Sequence, residues 1–175
     1  LEIESQTHHD LMAMVKALSE KCSKYGGCVH LGATSYDIED TALAMTLRDG
    51  GKLIRAHLVD LQNTLGRLAL EKNTLVCAGR THGQHAVPTT YGMKFALYYD
   101  ALCRHIKGLD DSIGQISFGK MSGAVGTMAT FGDGAFKLEQ LVMEELGLRP
   151  SPISSQVIGR DRHARMLFTL ALIAG

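Results

Sequence analysis

Apolar residues fall at helical spacing along most of this chain. Leu47, Gly51, Ile54, Leu58, Leu61, Leu65 and Leu68 alternate steps of four and three. That is a heptad seam of period 3.5. The segment that carries it, 37–72, predicts a single helix of ~54 Å at 1.5 Å per residue. A second seam follows Pro88 and runs through Phe95, Tyr99, Leu102, Ile106, Leu109, Ile113 and Ile116. Thr89 and Thr90 offer it an N-cap, and Gly119 a stop. Shorter helices are predicted over 8–22 with Thr7 as cap, over 134–146 ahead of Gly147, and from Asp161 to the end. No stretch alternates apolar and polar residues at period two over any length. The polar, glycine-bearing connections 26–37, 78–90 and 119–133 therefore read as loops.

The expected fold is all-α, an elongated bundle of long helices. An apolar stripe along so long a helix must be covered over its whole length. Short neighbours in one chain do not supply that cover, so the seams predict association into a larger intersubunit bundle. Only three prolines occur in 175 residues. This suits long helices, because an interior proline costs a helix ~3 kcal/mol. The chain opens on Leu1 without a methionine and closes on an apolar run, Leu167 to Gly175. Residues 1–175 thus read as one fragment of a longer protein, without a signal peptide.

Charge narrows the function classes. Eighteen Lys and Arg balance eighteen Asp and Glu. A balanced chain is not a nucleic-acid binder working through a basic face, nor a polybasic membrane anchor. With 45% hydrophobic and 21% charged residues the composition is that of a globular protein. No apolar run reaches the ~18 residues of a transmembrane helix. Four cysteines without a C-x-x-C pair indicate a reduced, cytoplasmic chain.

Candidate chemistry gathers in the connections. Arg80-Thr81-His82-Gly83-Gln84-His85-Ala86-Val87-Pro88-Thr89-Thr90 is dense in polar groups. A histidine there suits proton donation to a leaving group near neutral pH. Zinc on His82-x-x-His85 lacks a third ligand by spacing, so no metal is expected. His30-Leu31-Gly32-Ala33-Thr34-Ser35-Tyr36-Asp37 precedes the long helix. Its hydroxyls and carboxylate fit an ordinary cap or an anion site at the helix N-terminus equally well. Thr7-His8-His9-Asp10 stands at another helix start and alone reads as a polar first turn. Gly119-Lys120-Met121-Ser122-Gly123-Ala124-Val125-Gly126-Thr127 presents amides, a lysine and a serine to an anion. It lacks the Gly-Lys-Ser/Thr order of a P-loop. A further polar stretch, Pro152 to Gln156, precedes Arg160-Asp161-Arg162-His163.

Taken in order, the histidine, Thr-Ser-x-Asp, Arg-Thr-His-Gly and Lys-Met-Ser-Gly motifs resemble the adenylosuccinate lyases of the fumarase/aspartase superfamily. The resemblance covers essentially all 175 residues. It implies the central helical region of a homotetramer, with active sites built from loops of three subunits. It also implies a cofactor-free β-elimination that cleaves adenylosuccinate to AMP and fumarate, and cleaves the succinylated aminoimidazole carboxamide ribotide of purine synthesis. His82 corresponds to the general acid, and His9 to a catalytic histidine of the substrate site with His8 and Asp10 beside it. Thr34, Ser35, Thr81 and Gln156 correspond to substrate-binding positions, as do His30, Lys120 and Ser122 with less defined contacts. The family's N-terminal domain, C-terminal domain and signature loop, which carries the serine base, have no counterpart here. The resemblance therefore predicts an inactive fragment. The alternatives are another fumarate-releasing lyase, such as an argininosuccinate lyase, and a non-catalytic helical scaffold.

Overall fold

The long seams become long helices in the computed structural model, which describes residues 1–175. Six helices run in the order α1 (Glu2–Thr7), α2 (Asp10–Lys21), α3 (Ser35–Glu71), α4 (Tyr91–Ile116), α5 (Ala135–Glu145) and α6 (Asp161–Ala174). An antiparallel hairpin, β1 (Val76–Thr81) with β2 (Gln84–Thr90), separates α3 from α4. Two-residue strands β3 (Phe118–Gly119) and β4 (Arg149–Pro150) pair in parallel. Short 3-10 helices occupy Ser23–Cys28 and Ala129–Gly134. The fold class is all-α, and no helix is long and apolar enough to cross a membrane.

The chain divides into two units, one of residues 1–45 and 117–159, the other of residues 46–116 and 160–175. In the second unit the central turns of the two seams form the core. Leu58 of α3, Leu102, Ile106 and Leu109 of α4, and Met166 of α6 are buried together. Gly51 is a seam position where α3 meets its neighbours closely. A Cβ there would lie 2.8 Å from both Ile113 and Met166 side chains, so the missing side chain is what permits the contact. Thr90 caps α4 as the sequence predicts, its hydroxyl accepting from the Met93 amide at 3.1 Å. In the first unit Ala44, Met143 and Leu148 make a smaller core, with Met45, Val142 and Leu146 against it.

Two local expectations need correction. Residues 76–90 are a hairpin rather than a loop. Most of its side chains are exposed on both faces, so no burial-driven alternation marks it. Its pairing comes from backbone bonds closed by a two-residue turn. At the amino end, Thr7 is not the cap of the helix that follows. The chain breaks at His8, which takes a left-handed conformation, and His9 caps α2 by accepting from the Met12 amide.

Candidate active site

In the first unit the candidate residues are organised around the start of α3. Asp37 is the third residue of that helix, and its carboxylate is fully buried. Its Oδ2 accepts from the amide of Thr34 at 2.8 Å, the reach-back half of a capping box. The same oxygen accepts from the Gly123 amide at 3.0 Å. Oδ1 accepts from the Ser122 amide at 2.9 Å and from Lys120 Nζ at 2.5 Å. Four donors from two segments, the 34–37 turn and the 120–123 loop, thus converge on one carboxylate. The next turn of α3 continues the pattern. Thr41 Oγ1 accepts from the Lys120 amide and donates to the Lys120 carbonyl. Asp40 Oδ2 accepts from the Ile158 amide at 2.7 Å. Glu139 of α5 takes the Met121 amide, and Ser122 Oγ meets Ser154 Oγ at 2.8 Å.

This arrangement divides the sequence candidates. Capping of α3 falls to Asp37, which leaves the hydroxyls of Thr34 and Ser35 half-buried and without a hydrogen bond inside the chain. They are therefore open to an acceptor on a ligand. Lys120 is corrected: its ammonium has no exposed surface and neutralises Asp37, so it does not reach an anionic ligand. An ion pair taken wholly out of water needs each charge matched, and Lys120 is that match. Ser122 is likewise buried, and its hydroxyl is engaged by Ser154. It does border a cleft of about 370 Å³ lined also by Gly126, Thr127, Glu139 and Ser154.

Elsewhere in this unit, His8, His9 and Asp10 lie exposed along an open groove with Glu4 and Ser5. His9 Nδ1 stands 3.5 Å from Asp10 Oδ1. Gln156 is exposed and its side chain makes no hydrogen bond within the chain. His30 has positive φ, and its Nε2 is buried without a hydrogen-bond partner. It borders a small apolar pocket with Leu11, Leu18, Val29 and Ile38.

In the second unit, Thr81 closes β1 and Gln84 opens β2, so His82 and Gly83 are the whole turn. Both have positive φ, 52° and 72°, as a type I′ turn requires. A non-glycine residue there is uncommon and carries strain that the hairpin must offset. The result is an exposed imidazole at the tip of a paired ribbon. No three His, Cys, Asp or Glu side chains are grouped to hold a metal ion.

The role of Asp37 is only half legible in the sequence. The Thr-x-x-Asp spacing signals a capping box, but the lysine that completes the buried pair lies 83 positions away. Nothing in spacing links the two.

Comparison with known proteins fits this geometry. A family model described as Lyase matches residues 2–175. The adenylosuccinate lyase of Pyrococcus abyssi (strain GE5 / Orsay) is 54% identical over 173 residues, which cover 99% of this chain and 38% of that protein. Two solved structures superpose with a TM-score of 0.90 over 98% of the chain and 40% of their own. One is a fumarate lyase from Mesorhizobium sp. BNC1 at 32% identity, the other a 3-carboxy-cis,cis-muconate lactonizing enzyme from Pseudomonas putida at 34%. The chain thus spans about two fifths of the length of such proteins. With its helices, turn and loops matched from residue 2 to residue 175, the chain belongs to the lyase family.

Proposed function

We propose that these residues are the central helical part of a cytoplasmic, homotetrameric lyase that cleaves adenylosuccinate to AMP and fumarate. The succinylated aminoimidazole carboxamide ribotide is its second substrate. The observation that carries this reading is the likeness to adenylosuccinate lyase along nearly the whole chain. The geometry adds to it: an exposed imidazole on a strained turn, and two unengaged hydroxyls at the start of a long helix.

The reaction is a β-elimination. A base removes the proton from the carbon next to a succinyl carboxylate, and the electron pair is held as an aci-carboxylate. The C–N bond then breaks, the pair forms the fumarate double bond, and the departing nitrogen takes a proton. His82 supplies that proton: it stands exposed at the tip of the hairpin, and an imidazolium N–H is the kind of donor a departing nitrogen needs. His9, with His8 and Asp10, lines the substrate site. Thr34, Ser35, Thr81, His30 and Gln156 bind the substrate, and hydroxyl and amide donors suit its carboxylates. The base comes from a segment outside these residues, and loops of three subunits complete each site.

The test is fumarate release by the full-length protein. Adenylosuccinate should be turned over, and His82→Ala should lower kcat by about 10²–10⁴, the usual share of a general acid. The 175-residue chain alone should release none. Argininosuccinate and 3-carboxymuconate are assayed in parallel, because a solved neighbour of the same fold is named for a different substrate. Turnover of either in place of adenylosuccinate overturns the assignment.

A further inference from the structure

Lys120 and Asp37 are a buried ion pair that the elimination chemistry does not use. Neither side chain has any exposed surface. Burying a pair so completely is costly, and an apolar pair of the same volume often holds a fold as well or better. What an apolar pair cannot do is accept the three backbone hydrogen bonds that end on Asp37. Asp37 takes the Thr34 amide from one segment and the Ser122 and Gly123 amides from another, and Lys120 supplies the fourth donor together with the charge. The backbone of the Thr34–Ser35 turn is thereby set by the same group that sets the 120–123 loop. With the Thr34 amide held, its hydroxyl and that of Ser35 are left unengaged.

We propose that Asp37 is a positioning residue of the lyase site, and that its carboxylate, neutralised by Lys120, presents the Thr34 and Ser35 hydroxyls to a carboxylate of the substrate. This rests on the adenylosuccinate reading, in which those two residues bind substrate. Asp37 touches no substrate itself. Its effect falls on binding, because the hydroxyls lose their registration while the proton donor His82 is untouched.

The experiment uses the full-length protein. Asp37→Asn alone strands the lysine charge in the interior, so it is made together with Asp37→Asn/Lys120→Met, which removes both charges. Asparagine has one acceptor oxygen where the carboxylate has two, so amide donors that shared Oδ1 and Oδ2 lose partners. The double variant should recover the part of the thermal stability that the single variant loses to the stranded charge. Its KM for adenylosuccinate should nevertheless rise about tenfold, with kcat within about threefold, the scale of one lost hydrogen bond to a charged group. Adding Thr34→Val to the double variant should then raise KM by less than Thr34→Val does in the wild type. An active wild type with an unchanged KM in the folded double variant overturns the proposal alone. Failure of the double variant to fold also overturns it, since the pair would then serve the fold and not the site. A wild type inactive on adenylosuccinate removes the functional reading, and this proposal with it, before any variant is compared.

Discussion

The backbone of Gly126 runs against the carbonyl oxygen of Ser154: a Cβ at position 126 would lie 2.0 Å from that oxygen. Gly126 also has φ +79°, a conformation that L side chains rarely adopt. Both facts hold two loops of the first unit at a spacing that only glycine allows. Gly126→Ala should therefore cost about 1–3 kcal/mol from the backbone conformation alone, with the clash in addition. Denaturant midpoints of the full-length protein check this. Gly27→Ala, where an added Cβ meets nothing within 4 Å, should leave the midpoint nearly unmoved.

Thr41 gives a second, gentler test of how the 120–123 loop is held. Its hydroxyl both accepts from the Lys120 amide and donates to the Lys120 carbonyl, inside the protein. Thr41→Val keeps the shape and removes both bonds. Leaving those backbone groups buried and unpaired should cost about 1–3 kcal/mol. Thr41→Ser should restore most of that, which separates the hydroxyl from the volume.

Leu109 has no exposed surface and packs with Leu58, Leu102, Ile106 and Met166. Leu109→Ala should destabilise the second unit by about 2–5 kcal/mol, as buried leucine truncations do. Leu97, which is largely exposed on the same helix in this chain, should respond by far less in a preparation held monomeric. If Leu97→Ala is costly in the assembled protein, the difference locates a subunit contact.

His82 permits a test in which stability and activity part. Asparagine tolerates positive φ well and is favoured in type I′ turns. His82→Asn should therefore leave the melting temperature equal or raised. It should lower kcat by about 10²–10⁴ if the imidazole is the proton donor. A fall in both would mean that the substitution has disturbed the hairpin rather than the chemistry.

The helices were legible because their signal is local. The seam through Leu58 and Leu65 and the one through Leu102, Ile106 and Leu109 are period patterns that backbone geometry imposes on any buried helix face. Thr90 as the cap of α4 is equally local. The hairpin was not legible. Its strands bury almost nothing, and its turn is His-Gly in place of the Asn-Gly or Asp-Gly that usually betrays one. The pairing of Lys120 is not legible for a different reason. A lysine in a glycine-rich loop looks the same in sequence whether it faces an anion in solvent or a carboxylate in the interior.

The sequence by itself determined the long helices, the Thr90 cap of α4 and the ordered set of polar motifs that marks the family. Period, capping and motif are all written over a few neighbouring residues, where chain connectivity already supplies the geometry. Tertiary structure alone decided that Asp37, and not a ligand, takes Lys120, and that the amides of Thr34, Ser122 and Gly123 share one carboxylate. It also decided that Gly126 must lie against Ser154. Those relations join positions dozens of residues apart. Burial fixes them, because a charge or amide removed from water must find its partner wherever the folded chain brings one.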